Sequence, residues 1–227
     1  MEKLIKGILE FRKNLLPSRK ELFAKLATGQ APDVLFITCS DSRVAPNWFA
    51  STDPGDLFVV RNVGNMVPPC DHPDGTGYDH SVAAAIEFST INLKIADIVV
   101  CGHSGCGAIH ALAQGVDRMQ PSHLKRWLKL ADNALMRVAR VLDPDPSLSA
   151  EDRLSQKNVL QQVENLKTYP KLRERHQKGE LRFHAWWFNI AEGGVYAYDE
   201  AVHRFRLIDD DLGGTLLAQV TQGRSRS

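Results

Sequence analysis

The apolar positions of this chain switch between two periods. Residues 2–15 place Leu4, Ile5, Ile8, Leu9, Phe11 and Leu15 at helical spacing, and after the break at Pro17-Ser18 residues 19–27 resume it through Leu22, Phe23 and Leu26. Two amphipathic helices are expected, which either cover the chain's own core or pack on a neighbouring subunit. Gly29-Gln30-Ala31-Pro32 ends the second. Three short apolar, β-branched runs read as strands: 34–39, 57–60 and 96–101. Between and after them the helical period returns, over 78–93 (inner face Val82, Ala85, Ile86, Ser89), 105–114, about 122–142, about 149–168 and 172–178. Pro68-Pro69 through Gly77 is a turn-rich loop, and Asp143-Pro-Asp-Pro146 a short break between helices. Residues 181–190 alternate as a strand, and Glu192-Gly193-Gly194 turns them into a hairpin with Val195-Tyr-Ala-Tyr198. The last residues, 222–227, look frayed.

Strands alternating with helices through short turns predict an α/β fold. Its central sheet is mainly parallel and flanked by helices, with an N-terminal helical arm over 1–28 and a C-terminal hairpin. One domain over 1–227 is expected. With 28 basic against 27 acidic residues and a net charge of +1, no basic stripe argues for nucleic acid. The longest apolar runs are strand-sized, far short of a membrane span. Charges scattered through the first twelve residues leave no signal-peptide core, so a cytoplasmic location is expected. Four cysteines are too few for a disulfide scaffold, and their company of His and Asp reads better as metal chemistry in a reducing compartment.

That chemistry concentrates where two strands stop. Val34-Leu-Phe-Ile-Thr-Cys-Ser-Asp-Ser-Arg43 and Ile98-Val-Val-Cys-Gly-His-Ser-Gly-Cys-Gly107 both run from an apolar stretch into Cys, His, Asp, Gly and Ser. In a parallel sheet such ends meet at one edge. Cys39 would face His103 and Cys106 there, and two thiolates with one imidazole are a zinc set that leaves a fourth position open. Cys106 is expected in the first turn of a helix, whose free N–H groups favour thiolate. A local set of Cys101, His103 and Cys106 is the competing assignment, although Cys101 also reads as a small buried residue and Cys70 as a plain loop thiol. Asp41 and Arg43, two apart, can pair. Asp41 then either completes the metal's coordination or accepts a hydrogen bond from a metal-bound water while Arg43 holds it, and one carboxylate cannot do both. His72, His80, His110, His123, His176, His184 and His203 are scattered and read as surface or core residues, and Trp186-Trp187 as packing.

Cys-Ser-Asp-Ser-Arg at 39–43 with Gly-His-Ser-Gly-Cys-Gly at 102–107 resembles the β-class carbonic anhydrases. The likeness extends through Phe58-Val-Val-Arg-Asn-Val-Gly-Asn-Met-Val-Pro-Pro69, Ala84-Ala-Ile-Glu-Phe88 and Glu164-Asn-Leu-Lys-Thr-Tyr-Pro170, covering residues 3 to 198. It implies one zinc per chain on Cys39, His103 and Cys106, with Asp41 as a further ligand or, with Arg43, the catalytic dyad. Gln30, Phe58, Val63, Phe88 and Gly107 match substrate-pocket positions. Phe36 stands where the bicarbonate-regulated subgroup has Trp, so the plant-like subgroup is the better match and no second anion site is expected, although Arg61 is present. Phe88 replaces a Tyr usual in that pocket. The sequence is also similar to carboxysomal cyanobacterial members without their C-terminal extension, so shell targeting is not expected.

The resemblance implies reversible hydration of carbon dioxide to bicarbonate by zinc-hydroxide attack, in a homodimer or higher homo-oligomer that shares pocket residues across its interface. Two other readings stay open: a carbonyl sulfide or carbon disulfide hydrolase on the same scaffold, and a non-catalytic zinc-binding paralogue.

Overall fold

The computed structural model describes residues 1–70, 80–138 and 145–224, with the backbone alone over 132–138 and 222–224. The expected loop through Gly77, Tyr78, His72, the end of the helix near 142 and Asp143-Pro144 lie outside the described residues, as do residues 225–227. The side chains of Leu135 and Val138 are outside them too. Among the described residues, six strands form one sheet in the order β2-β1-β3-β4-β5-β6: β1 (Val34–Cys39), β2 (Leu57–Asn62), β3 (Asp97–His103), β4 (Arg182–Asn189), β5 (Gly194–Asp199) and β6 (Arg204–Leu207). The pairs β1–β2, β1–β3 and β3–β4 are parallel, and β4–β5 and β5–β6 antiparallel.

The apolar runs of β1 and β3 exist because both faces of these strands are buried. Leu35 and Ile37 point to one core with Ile98, Val100, Ile86 and Val159, whereas Phe36, Val99 and Cys101 point to another with Phe188. Burying each such Leu or Ile contributes about 1.5–3 kcal/mol before the entropy of ordering is counted. The first core is closed by α4 (His80–Glu87), which a π-helical turn over Phe88–Asn92 extends, and by α7 (Ala150–Leu166). Ser149 caps α7, its hydroxyl accepting the Asp152 N–H at 3.0 Å. Where α7 crosses β3 the backbone at Gly102 has no room for a side chain, since a Cβ there would stand 2.6 Å from a Val159 methyl. Further described helices are α3 (Pro46–Phe49), α5 (Gly107–Ala113), α6 (His123–Val138) and α8 (Pro170–Gln177).

Several expected boundaries move. The second strand continues through Arg61 and Asn62, and the third through Gly102 and His103. The helix expected from Gly105 starts at Gly107 because Gly105 sits at φ +58°, so Cys106 is the helix N-cap. The C-terminal hairpin gains a third strand, β6, and a further helix, α9 (Asp210–Arg224). The N-terminal arm is α1 (Glu2–Glu10), a π-helical turn, a 3-10 turn over Leu16–Arg19 that absorbs Pro17, and α2 (Lys20–Leu26). An Arg19–Asp53 ion pair (2.9 Å) and the contact of Leu26 with Gly55 tie α2 to the body. No residue of α1 is buried, and Leu4, Ile5, Ile8 and Leu9 stand exposed as one apolar stripe. No described helix is long and apolar enough to cross a membrane.

Candidate metal centre

The C-terminal ends of β1 and β3 bring together Cys39, His103 and Cys106, all buried, with their ligand atoms within 4.8 Å of one another. The two sulfurs stand 4.0 Å apart, too far for a disulfide and close to the roughly 3.8 Å that a tetrahedral ion with about 2.3 Å Zn–S bonds requires. The His103 Nδ1–H donates to the Ser104 carbonyl (2.9 Å), leaving Nε2 as a bare lone pair. Among the described residues, only Asn65 Nδ2 and His103 Nε2 are buried side-chain nitrogens or oxygens without a hydrogen-bond partner. A buried imidazole nitrogen with no partner, facing two sulfurs, fits a thiophilic metal such as zinc. Cys101 takes no part. It is fully buried in the Phe36 core, and that burial pushes its thiol pKa up.

Local backbone favours thiolates here. The Gly64 N–H donates to Cys39 Sγ (3.4 Å), and N–H groups of the first turn of α5 face Cys106. Between the two sulfurs Cys39 ionises first, because the Cys106 thiol donates to it, with further help from the Gly64 N–H against the cost of burial. The same contact and burial raise the pKa of Cys106. A bound metal would displace that proton.

Asp41 lies beside the cluster, its Oδ2 4.0 Å from His103 Nε2. Arg43 grips it three ways: Nε and the backbone N–H donate to Oδ1 (3.0 and 2.9 Å), and Nη2 donates to Oδ2 (2.7 Å). These hydrogen bonds hold the Asp41 carboxyl far below the usual carboxylate range, so it is ionised throughout the neutral region. Arg61 donates to the Cys39 and Asp41 carbonyls (3.2 and 2.7 Å) and shapes the turn that carries both.

Val63 follows β2 beside the cluster, exposed, its carbonyl accepting the Trp127 indole N–H (2.7 Å), and Gly107 opens α5 next to Cys106. The other three pocket candidates lie elsewhere. Phe58 pairs with Leu35, four residues (about 13 Å of strand) before Asn62, which lies opposite Cys39. Its ring meets that of Phe88, centroids 6.0 Å apart, and exposed Gln30 precedes β1 at this same end of the sheet. One chain does not bring Gln30, Phe58 and Phe88 to its own metal centre.

A family profile described as "Carbonic anhydrase" matches residues 34–195, well over half of the chain. The carbonic anhydrase of Synechocystis sp. is 41% identical over 209 residues, which cover 90% of this chain and 73% of that protein. The chain belongs to the β-class carbonic anhydrases. Its fold matches the solved β-carbonic anhydrase CcaA with a TM-score of 0.80 at 40% identity, over 91% of this chain and 98% of that one. It also matches one of two tetrameric β-carbonic anhydrases of Sordaria macrospora with a TM-score of 0.70 at 29% identity, over 86% and 95%.

Sequence reasoning missed the polar side of α7 that this β-carbonic anhydrase builds against its site. Ser155 Oγ donates to the His103 carbonyl (2.8 Å) and accepts the Trp187 indole N–H (3.2 Å). Asn158 Nδ2 donates to the Gly64 carbonyl (3.0 Å), and Gln162 accepts the Val67 N–H (2.7 Å). The signal was the repeat of Ser155, Asn158, Gln162 and Asn165 on the buried side of a helix, where unpaired amides would be costly.

Proposed function

We propose that, in a chain that catalyses the reversible hydration of carbon dioxide to bicarbonate, Asp41 and Arg43 form the catalytic pair beside a zinc ion held by Cys39, His103 and Cys106. The observation that carries this reading is the Asp41 carboxylate, ionised and locked by Arg43 within 4.0 Å of His103 Nε2. Zinc on this donor set would act as a Lewis acid that makes water nucleophilic near neutral pH. Asp41, an acceptor only, takes a hydrogen bond from the attacking oxygen and so orients it. Arg43 keeps the carboxylate in that place rather than on the metal. Val63 offers an apolar surface suited to a small apolar substrate.

The rest of the pocket comes from a second copy. Phe58 and Phe88 meet, and Gln30 precedes β1, at the far end of the sheet, all exposed or half-buried, and α1 leaves its apolar stripe exposed among the described residues. The tetrameric Sordaria relatives support a homo-oligomer of two or more chains. We read residues 1–227 as one domain, and the reduced thiols suit a cytoplasmic enzyme. Replacing Asp41 by Ala tests the pair: zinc content stays near one per chain while stopped-flow hydration falls about a hundredfold. Full turnover in that variant would remove Asp41 from the mechanism.

A further inference from the structure

α7 presents Asp152, Ser155 and Asn158, three residues apart, to two stretches of backbone: the end of β3 and the turn after it, which carry His103 and Cys106, and the turn after β2 whose Gly64 N–H donates to Cys39. Ser155 and Asn158 are buried and hold the carbonyls of His103 and Gly64. Asp152 reaches somewhere different. Its Oδ1 accepts the Gly105 N–H at 2.8 Å. The Gly105 carbonyl in turn accepts Arg43 Nη2 at 3.0 Å, and that same Nη2 donates to Asp41 Oδ2 at 2.7 Å.

We propose that Asp152 is a positioning residue for the hydration reaction: by fixing the Gly105 turn it fixes the carbonyl on which Arg43 rests, and through Arg43 the aim of the Asp41 carboxylate. The proposal rests on the catalytic reading of Asp41 and Arg43 above and adds the element that orients them. Half of the Arg43 side chain is exposed, and an arginine in water samples many rotamers. Two acceptors converging on one Nη2 select a single rotamer, but only while both are stationary. Gly105 sits at φ +58° in a sharp turn between β3 and α5. Asp152 anchors that turn from the capped first turn of α7, so the grip has a rigid base. A carboxylate at a helix N-terminus also favours the helix dipole. That effect would need the charge and not the contact with Gly105, and this separates the two roles experimentally.

The experiment uses the full-length, zinc-loaded protein, labelled with ¹⁵N, as wild type, Asp152→Ala and Asp152→Asn. Zinc content, melting temperature, kcat and KM for carbon dioxide, and hydrogen exchange at Arg43 Nε–H are measured for each. In Asp152→Ala, zinc stays at one per chain, Arg43 Nε–H exchange accelerates about tenfold, and kcat falls about tenfold with KM unchanged. Asp152→Asn keeps an acceptor oxygen for Gly105 without the charge, and both quantities return to within about twofold of wild type. Unchanged Arg43 exchange and kcat in Asp152→Ala would overturn the proposal. Loss of zinc in either variant would also overturn it, in favour of a role in building the site. If the catalytic reading of Asp41 were wrong, Asp41→Ala would keep its turnover while Arg43 exchange still responded to Asp152, so the two failures are distinguishable.

Discussion

The two ends of the parallel sheet are built on different terms. At the C-terminal ends of β1 and β3, a single chain supplies buried donors, the N–H groups that support their thiolates, and a carboxylate locked by arginine. At the N-terminal ends of β1 and β2, the rings of Phe58 and Phe88 meet, 6.0 Å between centroids, and exposed Gln30 precedes β1. Charged chemistry needs fixed distances and few waters, and a closed core supplies both. An apolar wall needs only to be covered, and an exposed Phe88, at 44% of its full area, is cheaply covered by another copy of the same surface. On the function proposed above, assembly, not folding, completes each pocket.

The largest effect should come from the metal end. Cys39→Ser removes a soft ligand that nothing nearby replaces, so zinc by elemental analysis should fall from one per chain to near none, and turnover with it. Zinc retained at full occupancy would remove Cys39 from the metal centre. Deleting residues 1–28 attacks the other end. The product should sediment as a monomer with intact zinc and little turnover, whereas an active, unchanged oligomer would show that the arm does not hold copies together.

Mixing two defective variants tests whether the two ends meet in one site. Cys39→Ser lacks the metal half, and the double variant Gln30→Ala/Phe58→Ala lacks the wall. If the pocket is shared between two chains, dissociating and reassociating an equal mixture should restore about a quarter of wild-type activity, from one intact site in each hybrid dimer. No recovery in verified hybrids would place the wall in its own chain's site.

The smallest effect on turnover is expected at Asp97, which opens β3 at the wall end. Burial raises its carboxyl pKa, but hydrogen bonds from His184 (2.9 Å) and Arg182 (2.7 and 2.6 Å) more than offset this and bring it down from 3.8 to about 2. A depressed folded-state pKa means stabilisation that is complete above about pH 4 and is lost as pH falls through about 2, worth about 2 kcal/mol. Denaturant melts of Asp97→Asn should therefore show a deficit of that size at pH 7 that narrows below pH 4, with hydration nearly unchanged. A deficit independent of pH would remove the ion cluster from the account.

The sequence by itself determined the strands at the centre of the sheet and the ligands at their ends. A contiguous run such as Val34-Leu-Phe-Ile has one economical fate, and a Cys, Asp and Arg directly after it have no packing reason to be there. It could not show β6, where Phe205 is the one buried residue of four, or α9, whose Gly213-Gly214 weakens the helical pattern. The polar side of α7 was equally hidden, because Asp152, Ser155 and Asn158 acquire meaning only once their carbonyl and N–H partners, about 47 to 94 residues away, are brought alongside. Tertiary structure also decided which cysteines join His103: Cys101 shares its strand but is fully buried in the Phe36 core, whereas Cys39 and Cys106 bring their sulfurs within 4.8 Å of the imidazole nitrogen. Period and residue type are local properties written in the chain. Hydrogen-bond partnership and shared faces depend on distance in space, and only the folded arrangement sets that.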